Sequence, residues 1–176
     1  PNSIIASVDG VGLIILNLSD LKLLNKFSFT QNDPNSLSSN SIFDILKNRD
    51  GIFFISTFRG GLNSYNPQQL GIQYLNQIPG DSNSLENNNI LSLSEVSEDI
   101  IAFGTSKGVS IWDKNINKWS HLSKVANKKN ILSGFVHALA VDKDDNIWTS
   151  SHTDYITKYD LGKFGKYTVA NNAPKK

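Results

Sequence analysis

The feature that most constrains the fold is a segment that occurs twice at a fixed distance. The sequence NDPNSLSSNSI, residues 32–42, returns in altered form as GDSNSLENNNI, residues 80–90, an offset of 48 positions. This offset is far longer than one turn, and its regularity in a chain of 176 residues argues against coincidence. A period of this length indicates structural repeats that stack on one another.

Each repeat contains the same order of short apolar runs and turn residues. The second unit reads SIFDIL, KNRDG, IFFIST, FRGG and LNSYNP between residues 41 and 67, and the third reads NILSLSEV, SED, IIAFGT, SKG and VSIWD between residues 89 and 113. The apolar runs have four to eight residues, and the breaks carry Gly, Asp or Asn. This pattern predicts strands and tight turns, with Gly60, Gly61 and Gly108 adopting positive φ between the second and third strands.

Two further units complete the chain. The fourth contains FVHALAV, DKDDN, IWTSS, HTDY and ITKYD, and the first begins at its second run. A weaker fourth run closes each unit, so we expect four strands per unit. Repeats of 40–50 residues with four strands are typical of β-propeller blades.

The sequence therefore predicts an all-β fold of four-stranded antiparallel blades. About fifteen strands give just under four blades, which form an open arc and not a closed ring. The predicted units are a partial first blade at 1–31, a second at 32–79, a third at 80–129 and a fourth at 130–176, all belonging to one propeller fragment.

Composition excludes several classes of function. The chain has no Cys, so it has neither disulfides nor thiolate metal sites. Its net charge of +1 and the absence of long basic runs argue against nucleic acid as a partner. No apolar run approaches the ~20 residues needed to cross a bilayer. Since the chain begins at Pro1 without a signal-type segment, we expect it to be a fragment of a longer protein.

The segment LSSNSIFDILKNRDGIFFISTFRGGLNSYNP, residues 37–67, resembles the two-component-regulator propeller repeat. That repeat runs Leu-Ser-x-Asn-x-Val, Asp-x-x-Gly, Leu-Trp-Ile-Gly-Thr and Gly-Leu-x-x-Tyr. The matching positions are Asn40, Asp50, Gly51, Thr57, Gly61, Leu62 and Tyr65, with Gly104, Thr105, Gly108 and Trp112 in the third unit and Ile147 and Trp148 in the fourth. Phe54 and Ser56 stand in the Trp and Gly positions, and the fourth unit departs from the pattern at Ser150, Ser151 and Tyr155.

The resemblance implies a sensor. It suggests the periplasmic part of an inner-membrane bacterial signalling protein, whose output domain is a histidine kinase, a hybrid kinase–response regulator or a diguanylate cyclase. It implies no catalysis in this segment and no cofactor. The remaining blades of the parent protein would then be its covalent neighbours.

The candidate ligand-binding residues lie in two kinds of loop. Loops that precede the first strand and loops between the second and third strands emerge on the same face of a blade, around one mouth of the channel. Their mixture of donors, one acid and aromatic rings suits a polar ligand such as an oligosaccharide. The candidates are Asn40, Phe58, Arg59, Asn88, Lys107, His152, Asp154 and Tyr155.

Alternative functions remain open at this stage. Propellers also carry glycan hydrolases and lyases, and the same face could dock a protein. The segment DKDDN, residues 142–146, has calcium-ligand spacing but lacks the Gly and Glu that such loops require, so we interpret it as a hairpin turn without a metal. His137 is expected to line the core or channel, and His121 to lie on the surface.

Two structural expectations concern burial. The regular position of Trp148 predicts a buried side chain whose replacement by Ala would cost on the order of 3–5 kcal/mol. An open arc leaves two blade faces uncovered, so we also expect the isolated chain to self-associate.

Overall fold

The computed structural model describes residues 2–69, 71–122, 134–151, 156–160 and 167–170. These residues form four antiparallel sheets, each with its strands in chain order. The strands are β1 (Ser3–Val8), β2 (Gly12–Asn17) and β3 (Leu23–Phe27) in the first sheet; β4 (Ile42–Lys47), β5 (Phe53–Thr57), β6 (Gly61–Tyr65) and β7 (Ile72–Leu75) in the second; β8 (Ile90–Glu95), β9 (Ile100–Thr105), β10 (Gly108–Asp113) and β11 (Lys118–His121) in the third; and β12 (Val136–Val141), β13 (Ile147–Ser151), β14 (Ile156–Tyr159) and β15 (Tyr167–Ala170) in the fourth.

This architecture confirms the predicted all-β class and the open arc of propeller blades. The fifteen strands of the described residues comprise three four-stranded blades and a first blade that lacks the inner strand. Within the residues that the structure describes, no helix is long and apolar enough to cross a membrane.

The inner strands β4, β8 and β12 hold neighbouring blades together. The Leu93 N–H donates to the Asp44 carboxylate at 2.8 Å, which joins β8 to β4. The Ser92 hydroxyl donates to the Val136 carbonyl at 3.2 Å, which joins β8 to β12. Between the sheets lie apolar clusters, and Phe103, which is fully buried, belongs to the cluster between the second and third blades.

The repeated segment, residues 32–42 and 80–90, lies in the linker from the outer strand of one blade to the inner strand of the next. Each linker buries one leucine, Leu37 or Leu85, to 1 % exposure. A serine hydroxyl forms a hydrogen bond within each linker. The Ser36 hydroxyl accepts the Thr30 N–H and the Ser84 hydroxyl accepts the Ile78 N–H, both at 3.0 Å. The repeat therefore encodes the connection between blades.

The hairpin between β5 and β6 differs in one detail from the sequence prediction. Gly61 and Gly108 have positive φ, 77° and 131°, as expected. Gly60 does not, and Arg59 adopts the left-handed conformation instead, with φ of 57°. Gly60 is required for a different reason, because a Cβ atom there would lie 2.6 Å from the Thr57 hydroxyl. The turn thus points a long cationic side chain outward from a strained position.

The DKDDN segment forms the β12–β13 turn around the carboxylate of Asp142. This carboxylate accepts hydrogen bonds from the backbone N–H groups of Asp144 and Asn146, from the Asn146 amide and, at 2.9 Å, from the indole of Trp148. Lys158 approaches it at 3.4 Å. Protein donors thus close the turn around the carboxylate. The described residues contain no group of three or more metal-binding side chains.

Trp148 is less buried than its repeat position predicts. The ring is half-buried, with the Lys158 ammonium 5.1 Å from its centroid. The expectation of an enclosed side chain was wrong because, among the residues that the structure describes, no further blade covers this face of the fourth sheet. The expected cost of Trp148→Ala is correspondingly smaller than that of a fully buried tryptophan.

The Asp142 turn predicts acid sensitivity. The hydrogen bond from Trp148, followed by those from Asn146 and Asp144, holds the pKa of Asp142 well below its ordinary value of 3.8. A carboxyl whose pKa is lower in the folded than in the unfolded chain stabilises the fold above the unfolded value and loses that contribution as the pH falls below it. We expect the gap in melting temperature between the parent and Asp142→Asn to narrow between pH 6 and pH 2. Asp144→Asn, at an exposed position of the same turn, is the control, and a gap that does not change with pH would contradict this assignment.

Candidate functional site

The two kinds of loop singled out in the sequence do meet on one face of the arc. The Phe58 N–H in the β5–β6 hairpin donates to the Ser41 carbonyl at 2.8 Å, and the Gly61 N–H donates to the Asn88 carbonyl at 2.9 Å. The next blade repeats the first of these bonds, since the Ser106 N–H donates to the Asn89 carbonyl at 3.1 Å. We call this surface the loop face; it comprises residues 28–41, 58–60, 76–89 and 106–107.

The loop face contains a cavity of about 420 Å³. It lies between the first linker and the second blade, with part of the second linker at its border. We call it the linker pocket, and its lining residues are Phe29, Thr30, Asn32, Asp33, Pro34, Ser36, Leu37, Ser38, Arg59, Gly60, Tyr74, Asn76 and Asn88. A concave site of this size is within the range that small ligands occupy.

The chemistry of the linker pocket combines aromatic rings with polar groups. Phe29 and Tyr74 are about half exposed, at 50 % and 46 %. Arg59 adds a cation whose guanidinium carbon lies 4.9 Å from the centroid of the Phe58 ring. Asp33 contributes a carboxylate that accepts the Asn35 N–H at 2.9 Å. Rings that can stack on an apolar face, together with donors and acceptors, suit a ligand with many hydroxyl groups.

The structure distributes the predicted site residues unevenly. Arg59 and Asn88 line the linker pocket, whereas Asn40, Phe58 and Lys107 belong to the loop face but not to the lining. The side-chain oxygens of Asn40 and Asn88 accept the backbone N–H groups of Phe29 and Gln77, each at 2.6 Å, so both asparagines hold the linkers in shape. His152, Asp154 and Tyr155 lie outside the described residues.

The two aromatic residues of the pocket, Phe29 and Tyr74, are not among the candidates that the sequence pattern indicates. Tyr74 lies in the outer strand β7, and Phe29 follows the outer strand β3, where a single aromatic residue is an ordinary exposed side chain. Only the path of the linker above the blade brings the two together.

The third blade shows why the second has an open pocket. Strand pairing places Tyr74 opposite Asn63 and His121 opposite Ser110, so Tyr74 and His121 occupy equivalent positions. The His121 ring bridges the Ser110 hydroxyl, at 3.0 Å, and the carbonyl of Ser82 in the second linker, at 3.3 Å. His121, expected on the surface, is half-buried and fastens the linker to the blade, a contact that Tyr74 does not make with the first linker.

Comparison with known proteins supports the fold. No known protein family matches the sequence, and no curated protein is similar to it. The extracellular domain of BT4673 from B. thetaiotaomicron, assigned to a hybrid two-component system, superposes with a TM-score of 0.73 at 17 % identity and covers 95 % of this chain and 20 % of its own.

Two further solved structures are similar. The extracellular domain of BT3049, assigned to a hybrid two-component system of the same organism, has a TM-score of 0.62 at 15 % identity, and the alignment covers 92 % of this chain and 26 % of that one. The β-propeller domain of Cps50 (Swd1) from Myceliophteria thermophila has a TM-score of 0.62 at 14 % identity, with 96 % and 54 % covered. The chain thus has a propeller fold and spans about a fifth to a quarter of the two bacterial domains.

Proposed function

We propose that this chain is a ligand-sensing propeller segment from the extracytoplasmic, periplasmic region of a bacterial two-component sensor. In this proposal it binds an oligosaccharide in the linker pocket and carries out no catalysis itself. The observation that carries the proposal is the pocket of about 420 Å³ with Phe29, Tyr74 and Arg59 in its lining. The structural likeness to extracellular domains assigned to hybrid two-component systems supports the cellular setting.

The position of the pocket suits a sensor. Its lining includes both linkers, which connect the first blade to the second and the second to the third. A ligand that contacts Asp33 on one linker and Asn76 on the other would favour one arrangement of the blades over others. Binding would then shift a conformational population that an output domain, either a kinase or a cyclase, reads.

A glycan-degrading enzyme is the second candidate, and it requires a pair of carboxyl groups on opposite sides of the scissile bond. Among the described residues that line the linker pocket, Asp33 is the only acid. The lining therefore favours binding over hydrolysis. A protein-docking function would use the same loop face without requiring the pocket.

Binding of a panel of defined oligosaccharides, measured by calorimetry, tests the proposed function. For a sugar that binds the parent, we expect Tyr74→Ala to weaken binding about tenfold or more, because a stacking ring contributes on the order of 1.5 kcal/mol. Arg59→Gly should also weaken binding while preserving the fold, since glycine accepts the left-handed conformation at this position without strain.

The matched control is Ile116→Ala, which removes a large exposed side chain from the β10–β11 turn, outside the pocket lining. If Ile116→Ala weakens binding as much as Tyr74→Ala does, the linker pocket is not the site. Turnover of the bound sugar by the intact extracytoplasmic region would favour the enzyme instead.

A further inference from the structure

The three inner strands share one irregularity at the same repeat position. The pairing of β4 with β5 shifts between Ile42 and Asp44, and the corresponding shifts in β8 and β12 fall between Ile90 and Ser92 and between Val136 and Ala138. Each shift skips one residue in the strand register: Phe43, Leu91 and His137. A β-bulge redirects a side chain, and such bulges concentrate beside functional sites. Its recurrence in three successive blades makes it a feature of the repeat.

Two of the three bulged residues, Phe43 and His137, carry exposed rings at the loop end of the inner strands. Phe43 is 47 % exposed and meets the edge of the Phe58 ring, with centroids 5.9 Å apart. His137 is exposed and stacks on Phe135, with centroids 6.0 Å apart and an angle of 11° between the planes. Large apolar rings that stay accessible at one end of adjacent strands are typical of a binding surface.

These positions are neighbours in the arc. The hydrogen bonds from β8 to β4 and from β8 to β12 fix the three inner strands side by side. The bulges at Phe43, Leu91 and His137 therefore form a row, which we call the bulge row and to which we add the adjoining rings of Phe58 and Phe135.

Cations lie beside the bulge row on two successive blades, while the carboxylate of Asp9 at its first-blade end accepts the Ser41 hydroxyl at 2.9 Å. Arg59 and Lys107 occupy equivalent positions in the β5–β6 and β9–β10 hairpins, 48 residues apart. Lys107 is exposed and makes no ion pair within the part of the chain that the structure describes. The carboxylate of Asp44, on β4, accepts the N–H groups of Ile45 and Leu93 at 2.9 and 2.8 Å, so that acid is already satisfied by the protein.

Arg59 joins the bulge row to the linker pocket. It lines the pocket, and its guanidinium lies over the ring of Phe58, which contacts Phe43. A sugar chain that occupies the pocket can therefore continue past Arg59 onto the row.

We propose that the bulge row, together with Arg59 and Lys107, binds the extension of an anionic oligosaccharide. This inference rests on the proposed function and adds the ligand class to it. The rings of Phe43, Phe58 and Phe135 would contact the apolar faces of sugar rings, and the two cations would contact carboxylate or sulfate groups.

Calorimetry with hexasaccharide probes of different charge tests this proposal. The probes are a hexamer of galacturonate, its fully methyl-esterified neutral form and a sulfated hexasaccharide with a neutral backbone. We expect the galacturonate hexamer to bind the parent at least about tenfold more tightly than its methyl ester, with an affinity that falls as salt increases. The sulfated probe decides whether sulfate substitutes for carboxylate.

Variants assign this selectivity to the bulge row. Lys107→Gln and Phe43→Ala should each weaken binding of the anionic probe about tenfold. Lys118→Gln, which removes an exposed charge from the outer strand β11, is the matched control and should leave the affinity unchanged. The methyl ester should bind Lys107→Gln and the parent equally.

The outcomes separate this inference from the proposed function. If the charged and esterified hexamers bind equally and Tyr74→Ala alone weakens them, the linker pocket is a sugar site and the bulge row is not. If Lys118→Gln is as damaging as Lys107→Gln, the attraction is general to the surface and the inference fails. If no oligosaccharide binds the folded chain, both proposals fail.

Discussion

Phe103→Ala is expected to lower the free energy of unfolding by about 3–5 kcal/mol. The side chain lies in β9 with no exposed surface, and its ring packs on Trp119 with centroids 5.4 Å apart. The cluster around it includes Phe54 and Leu62 from the second blade, so the substitution leaves a cavity between two sheets that neither sheet can close alone. Equilibrium unfolding in urea, followed by circular dichroism, measures the loss.

The matched control is Phe43→Ala, which removes the same atoms from a side chain that is 47 % exposed. We expect Phe43→Ala to cost clearly less than Phe103→Ala, because about half of the Phe43 side chain remains in contact with water in the folded chain and its removal leaves no enclosed cavity. Equal losses from the two variants would mean that the second and third blades do not pack through Phe103, and the assigned arrangement of the arc would be wrong.

The strands were predictable because a repeat amplifies weak local signals. A single run such as IIAFGT could belong to a buried strand or to part of a helix, but the same order of runs and turns in successive units leaves only strands and hairpins. Even the missing inner strand of the first blade follows from comparing the units. Blade order and strand order are thus readable from the chain without knowledge of any contact.

The details that depend on register were not predictable in this way. The bulges at Phe43, Leu91 and His137 lie inside apolar runs, and nothing in the residue types shows where a strand slips by one position. The same limit applies to Arg59. This arginine adopts the left-handed conformation, although two glycines, which adopt that conformation more readily, follow it directly. Burial of Trp148 was overestimated because repeat position fixes orientation, whereas exposure depends on the neighbouring blade.

The candidate site was predictable as a surface but not as a cavity. Hairpin and linker residues were placed on one face from strand order alone, and two of them, Arg59 and Asn88, line the linker pocket. Phe29 and Tyr74 were missed because each is remote in sequence from the hairpin that it faces across the linker pocket. The contrast between Tyr74 and His121 becomes visible only when strand pairing shows that the two positions are equivalent.

Gly104→Val is expected to destabilise the contact between the third and fourth blades by about 3 kcal/mol or more. Gly104 lies in β9, where a Cβ atom would overlap the Ser92 hydroxyl of β8 and would be 2.7 Å from the Val136 carbonyl oxygen and 2.9 Å from a Val136 methyl group on the inner strand of the next blade. Those atoms belong to a packed strand and cannot move aside cheaply. The fourth blade must therefore shift or separate from the third.

Hydrogen exchange measured by mass spectrometry locates the damage. We expect amides of β12 and β13 to lose protection in Gly104→Val, while those of β5 and β6, in the second blade, keep theirs. Ser150→Val is the matched control because Ser150 holds the same repeat position in the fourth blade, where the side chain is exposed and no described inner strand packs on it. Gly104 and Ser150 hold the same place in the repeat, but within the described part of the chain only Gly104 faces the inner strand of a following blade. Equal losses of stability from the two variants would therefore come from valine in the strand itself. That result would contradict docking of the fourth blade through Gly104.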